Sequence, residues 1–365
     1  MVNERKITLF GKEFKIRLDV VLQVDNQDVV DLQLIRLLML IDKLGSISGA
    51  ARVLSMPYSR AWDKIAKAER ILGVKLVESK RGGASGGGTS LTNEARELVR
   101  VYKEILTKLN LKLEEPLLKV RIPDLTYIGS NDPVVEIIAG LLRDQGLDVH
   151  ISWTGSSLGI AALVLGECDI SGIHILDPET GQYNVPILKR QWRGRDLVLV
   201  RGYLREIGFA TRGKYTLEEV LDGIIRGELT IVNRQPGAGA RVLLEHLIKQ
   251  ECKRRGLDFD LVVSRIRGYE NVVDTHLEVA QTVAAGRADV GVCIRWAAEQ
   301  YGLNFIPVTW ENFDFVTTPH KLNMDSVTKF IQVLKNEEFR RRIERLPGYR
   351  VPEDSGSTVL VLQAR

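Results

Sequence analysis

The chain has 365 residues, 44% hydrophobic and 27% charged, with a formal net charge of +4. It is too long for one ordinary core, and its composition is that of a globular protein with two or three units. Cys168, Cys252 and Cys293 stand far apart with no C-x-x-C pair, and no apolar run reaches the ~18 residues of a membrane span, so a disulfide framework and a spanning helix are excluded.

The opening residues lack an apolar signal core, and a cytoplasmic protein without membrane association is expected. Alternation over residues 6–24, with a turn at Asp25-Asn26, predicts a β-hairpin. Apolar residues then recur at helical spacing from Asp31 to Leu44 and stop at Gly45. Ser46 to Leu54 is a short helix of small residues, Ser55-Met56-Pro57 a turn, and Tyr58 to Leu72 a third helix closed by Gly73. Val74 to Glu78 reads as a strand, Lys80 to Gly88 as a glycine-rich loop, and Thr89-Ser90-Leu91 as a return strand into a helix over 92–111. Glu114-Glu115-Pro116 marks a linker.

Beyond it, strands alternate with helices, the grammar of an α/β domain. Strands are expected at 119–122, 125–129, 148–153, 169–175, 196–201, 229–233, 261–266, 289–294 and 305–308. Helices are expected at 133–145, 157–166, 217–226, 239–255, 276–286, 295–301 and 325–346.

Two helices joined by a tight turn can lay the second in the DNA major groove. Ala50 and Ala51 permit close helix approach, and Pro57 presets φ for the next helix. Residues 60–81 carry Arg60, Lys64, Lys67, Arg70, Lys75, Lys80 and Arg81 against Asp63, Glu69 and Glu78. That surplus of four equals the net charge of the whole chain. Ser48, Tyr58, Ser59, Arg60 and Lys64 are candidates for the DNA-facing surface, with Arg60 matched to guanine O6/N7. Lys64, Lys67, Lys80 and Arg81 are candidates for phosphates, which set affinity and salt dependence rather than sequence choice.

The run from Gly45 to Leu54, followed by Tyr58-Ser59-Arg60-Ala61-Trp62-Asp63, resembles the DNA-binding domain of ModE-type molybdate-responsive regulators, related to the LysR-type winged helix. Arg81 to Thr92 resembles that family's glycine-rich wing and the entry to its dimer-forming helix. The resemblance spans roughly residues 10–110 and implies a homodimer paired through the 92–111 helix.

In the second half, several strand-to-helix junctions share one chemistry. They are Tyr127 to Pro133, with Asp132 as N-cap; Trp153 to Gly159; Val232 to Arg241; and Asp274-Thr275-His276. Such junctions aim bare amides and the positive end of a helix dipole at one place. If they converge at the carboxyl ends of strands, they make an anion site. Its candidate residues are Ser130, Asn131, Ser156, Ser157, Arg234, Gly237, Gly239, Arg241, Thr275 and His276, with ligand contact by His174 and His276 left open. For any single junction, simple helix capping is the better account of the serine or threonine; four in one domain favour a shared ligand site.

Gly129 to Pro133, Gly155 to Gly159, Gly166 to His174, Asn233 to Gly239, Thr275 to Ala280 and Gly286 to Gly291 resemble the periplasmic-binding-protein-like domains fused to helix-turn-helix regulators. Asn233 to Arg241 is similar to the oxyanion-contacting loop of tungstate-binding transport proteins, but has Ala238 and Ala240 where hydroxyl residues often stand. ModE proteins usually read molybdate with small β-barrel modules, which this chain does not resemble.

Together these readings imply an α/β protein overall: a winged helix-turn-helix over 1–112, a linker over 113–118, a two-lobed type II periplasmic-binding-protein-like domain over 119–350 and a tail over 351–365. The expected partners are double-stranded DNA and a small anion, molybdate or tungstate, with an organic metabolite such as a molybdopterin-like compound as the alternative. No cofactor, metal or enzymatic activity is expected.

A rival reading is a serine hydrolase. Gly155-Ser156-Ser157-Leu158-Gly159 fits G-x-S-x-G between strand and helix, with Ser157 as nucleophile and His276 or His320 as base, but no H-G-G-G-like oxyanion loop precedes it. A third is a binding module whose winged helix contacts protein. Phosphate-loop, dinucleotide and zinc motifs are absent from the sequence.

Overall fold

The computed structural model describes residues 5–16, 19–83, 86–111, 113 and 122–363. The expected linker at 113–118 and strand at 119–122 fall almost wholly outside them. The chain divides into two compact units. Unit 1 holds Met1–Ile128, Val149–Thr154 and Ile160–Asp169; unit 2 holds Gly129–Asp148, Gly155–Gly159 and Ile170–Arg365.

In chain order the first elements are β1 (Arg5–Leu9), β2 (Lys12–Ile16), β3 (Leu22–Val24), β4 (Gln27–Val30), α1 (Leu32–Leu44), α2 (Ile47–Val53), α3 (Tyr58–Leu72), β5 (Val77–Gly83), β6 (Gly86–Leu91) and α4 (Asn93–Lys108). Two hairpins stand where one was expected: β1 pairs with β2, and β3 with β4. The second turns through Asp25 and Asn26, both at positive φ, which short Asx side chains tolerate. Asp31 caps α1 and Ser46 caps α2, each side chain accepting an amide, while Gly45 and Gly73 end α1 and α3 in the left-handed conformation. The core is built from α1, with Leu34, Ile35, Leu37, Leu38, Leu40 and Ile41 wholly buried.

The described part of the glycine-rich stretch, residues 80–83 and 86–88, is strand rather than loop, because β5 and β6 pair from Val77↔Leu91 to Gly83↔Gly86. Gly88 has a packing reason. A Cβ there would fall 2.6 Å from the Gly45 carbonyl oxygen, which already accepts the Thr89 amide at 2.8 Å.

The chain continues through β7 (Leu125–Gly129), α5 (Pro133–Asp144), β8 (Val149–Trp153), α6 (Ser156–Val164), β9 (Ser171–Ile173), α7 (Val185–Gln191), β10 (Leu197–Thr211), α8 (Leu217–Ile225), β11 (Ile231–Arg234), α9 (Gly239–Arg255), α10 (Phe259–Val263), β12 (Val272–Val273), α11 (His276–Ala284), β13 (Val290–Ile294), α12 (Arg295–Gln300), β14 (Asn304–Thr317), α13 (Asp325–Leu334), α14 (Glu337–Ile343), β15 (Tyr349–Arg350) and β16 (Thr358–Leu362). Unit 2 is organised by one mixed sheet in the order β12-β11-β13-β10-β14-β9, with β15 and β16 also pairing with β10.

Three sequence expectations fail here. Residues 261–266 are not a strand: Asp258 caps α10, accepting the Leu261 amide, and only one face is buried, with Val262 inside and Leu261 60% exposed. A short apolar run does not distinguish the two periods. The helix expected at 325–346 is two, since Asn336 caps α14 through the Glu338 amide. The strands expected at 196–201 and 305–308 are pieces of β10 and β14, which pair antiparallel along most of their length.

Candidate functional site

In unit 1, α3 buries Tyr58, Ala61, Ile65 and Ala68 and leaves Arg60, Asp63, Lys67 and Arg70 exposed. Their 3-4-3 spacing puts those four on one face. Arg60, Lys67 and Arg70 have no ion-pair partner among the described residues. Ser59 is half-buried beside them.

Three of the sequence candidates are corrected. Tyr58 is 2% exposed and Ser48 6%, so both face the interior. Lys64 is committed to Asp31 at 2.5 Å and holds α3 to the start of α1. The side chains of Lys80 and Arg81 lie outside the described residues. Arg70, whose charge but not its phase on α3 is legible in the sequence, completes the cationic face.

In unit 2 the junctions meet. Strands β11 and β12 run parallel, with Arg234 opposite Val273, so the starts of α9 and α11 follow neighbouring strand ends. Arg234 donates to the Asp274 carbonyl at 2.6 Å and to Gln235 at 3.3 Å, and has no carboxylate bound to it among the described residues. Burial pulls its pKa down to about 10, with the charge of Arg205 adding to the effect. The Ser130 and Ser156 hydroxyls are 2.8 Å apart, and Ser156 also accepts the His174 amide at 3.2 Å. His174 in turn lies against the start of α9: a Cβ on Gly239 would fall 2.9 Å from its Nδ1.

The cluster includes a buried ionic network that sequence reasoning missed. Arg205, wholly buried in β10, donates to Asp132 at 2.6 Å and to Glu311 of β14. Tyr203 and Tyr349 add their hydroxyls to Asp132 at 2.8 and 3.0 Å. The His174 ring stacks on Phe313, and its Nδ1 is 3.4 Å from Glu311 without the geometry of a hydrogen bond. Three buried nitrogens here lack a hydrogen-bond partner among the described residues: Arg205 Nη2, His174 Nδ1 and His276 Nδ1. Charges on long strands pair through sheet register, Arg205↔Glu311, which nothing local in the sequence signals.

Other candidates sit differently. Arg241 is bound to Glu245 at 2.9 Å and stacks over Tyr269, so it is not an uncompensated cation. Thr275 spends its hydroxyl lone pair on a capping box with Glu278. Asn131, Ser157 and Gly237 are exposed, and the Ser157 hydroxyl is hydrogen-bonded to no histidine among the described residues. Asp132 is the N-cap of α5, as expected, and also an ion-pair partner.

Burial, then Arg205, lowers the pKa of His174; burial, then Arg234, lowers that of His276 well below the usual value. Burial pushes the Glu311 carboxyl up, but the Arg205 guanidinium outweighs it and holds it at about 2. For both histidines the unfolded chain binds more protons below its ordinary pKa of about 6.5, so stability rises with pH across that window. The contribution of Glu311 is complete above about 4.3 and lost only towards 2. Scanning calorimetry should therefore show the thermal midpoint falling from pH 7 to pH 5, with a shallower fall in His276→Gln. A midpoint that stays level or rises would contradict the burial of neutral imidazoles.

Residues 139–335 match the family model described as the PBP superfamily domain, and residues 32–96 match that of the bacterial regulatory helix-turn-helix protein, lysR family. The chain belongs to the PBP superfamily and carries a LysR-type helix-turn-helix at its N-terminal end. Its N-terminal region is similar to LysR-type and ModE helix-turn-helix proteins, and its C-terminal part has the PBP-like α/β fold. The uncharacterized protein YvgK of Bacillus subtilis (strain 168) is 28% identical over 266 residues, 69% of this chain and 83% of that protein. The molybdenum transport protein ModE of Azotobacter vinelandii is 41% identical over 71 residues, 20% of this chain and 26% of ModE. The ModE likeness lies in the N-terminal region. Among solved structures, a hydrogen-peroxide-bound OxyR mutant of Corynebacterium glutamicum covers 86% of this chain at 16% identity and a TM-score of 0.43, with 93% of its own chain aligned. Among the described residues no helix is long and apolar enough to cross a membrane.

Proposed function

We propose that this regulator reads double-stranded DNA with the exposed face of α3 and the β5–β6 wing, and that unit 2 senses a tetrahedral oxyanion, molybdate or tungstate. The observation that carries the ligand reading is Arg234, a half-buried cation without a bound carboxylate among the described residues, set among the Ser130 and Ser156 hydroxyls and two neutral imidazoles. Charge-assisted bonds from neutral N–H and O–H groups to an oxyanion suit such a set, and the starts of α6, α9 and α11 add dipoles of the right sign. The ModE relative is a molybdenum transport protein by name, and its match is confined to about a quarter of its length.

Homodimerisation through α4 fits its outer stripe. Leu98, Val101 and Ile105 are half-buried and Leu109 is 55% exposed, at 3-4-4 spacing. Ligand shifts DNA affinity only by binding the DNA-competent and incompetent forms unequally.

Thermal-shift measurement of the full chain against molybdate, tungstate, sulfate and phosphate tests the ligand. At 100 times the dissociation constant, binding adds about 2.7 kcal/mol, a rise of roughly 5–10 °C for a domain of this size. No shift with any of the four, together with stabilisation by an organic acid, would overturn the oxyanion reading in favour of an organic metabolite.

A further inference from the structure

The Glu167 carboxylate, 4% exposed, accepts from four donors within unit 1. The Ile47 amide reaches its Oε1 and the Ser48 amide its Oε2, both at 2.9 Å; the Ser46 hydroxyl reaches Oε2 at 2.8 Å, and the Thr89 hydroxyl donates to Oε1. No cation is paired with it among the described residues. A buried carboxylate is costly unless hydrogen bonds saturate it, and a helix N-terminus supplies both amides and a favourable dipole.

The donors belong to two parts of the winged helix. Ser46, Ile47 and Ser48 open α2, the first helix of the helix-turn-helix pair, while Thr89 lies in wing strand β6. Ser46 already caps α2 by accepting the Gly49 amide at 3.0 Å, so Glu167 is not needed merely to begin the helix. Its added effect is to clamp α2 to β6. The clamp is supplied from a position 121 residues beyond Ser46, inside the segment matched to the PBP superfamily. It follows the end of α6, the helix whose first residue, Ser156, belongs to the candidate anion cluster.

We propose that Glu167 is a positioning residue for DNA recognition: it fixes α2 against the wing, and so makes the DNA-reading set depend on the segment that follows α6. This rests on the regulator reading, and the test separates the two. Hydrogen exchange on the full chain, without DNA or ligand, is compared between wild type and Glu167→Gln, whose amide group would turn donors toward donors. The Ile47 and Ser48 amides should exchange about tenfold faster or more, the loss expected of a charged acceptor, while the α1 core amides stay unchanged. In fluorescence anisotropy with a duplex from the chain's own promoter region, the variant should bind about tenfold more weakly, and Thr89→Val, which removes one donor, should fall between.

Unchanged Ile47 and Ser48 exchange overturns the clamp. Faster exchange with unaltered duplex affinity overturns its role in recognition. Should Glu167→Gln fail to fold, Thr89→Val decides by the same two measurements. A wild type that binds no duplex sinks the regulator reading, and with it any role in recognition; the exchange result then still judges the clamp.

Discussion

Arg234→Ala should weaken tungstate or molybdate binding about 10- to 100-fold by calorimetry, while leaving the unliganded thermal midpoint unchanged or slightly raised. Hydrogen bonds to a charged group contribute about 1.5–3 kcal/mol each, and here they are made only when ligand is present. In the free protein the guanidinium is held by a carbonyl and an amide oxygen and is disfavoured by burial, so its loss costs the fold little. Arg205 makes the contrast. Removing it strands the carboxylates of Asp132 and Glu311 in the interior, a change that costs about 3–5 kcal/mol of stability. A large loss of affinity at preserved stability in Arg234→Ala is the signature of a ligand contact. If affinity survives, the oxyanion is held elsewhere.

Arg60→Ala should lower operator affinity by about 1–3 kcal/mol and relax base choice at one position, the value of a bidentate guanine contact. Lys67→Ala should instead weaken binding to all sequences alike and reduce the slope of log affinity against log salt by about one. Anisotropy titrations at several salt concentrations distinguish the two. Lys64→Ala is expected to differ from both: its ion pair with Asp31 makes it part of the packing between α1 and α3. If Arg60→Ala and Lys67→Ala bind as wild type with an intact fold, α3 is not the reading helix.

Much of unit 1 was legible because its signals are local. Capping by Asp31 and Ser46, the glycine stops at 45 and 73, and the 3.6-residue period place α1 to α3 within a residue or two. Phase was less legible. Tyr58 and Lys64 look like surface residues by type, yet Tyr58 turns inward and Lys64 is drawn to a carboxylate 33 positions earlier.

In unit 2 the junction residues Ser130, Ser156, Arg234 and His276 could be read from strand-to-helix grammar. The network of Asp132, Arg205, His174 and Glu311 could not, because it depends on the β10–β14 register and on β9 lying beside β14. A different limit explains α10, where the three-residue apolar run Leu261-Val262-Val263 carries too few periods to separate helix from strand.

Crystals of the full chain grown with tungstate, measured near the tungsten absorption edge, test the central claim most directly. The anomalous difference map should place tungsten within hydrogen-bonding reach, through its oxygens, of Ser156, Arg234 and His276. A peak confined to other residues, or no peak at saturating tungstate, would contradict it.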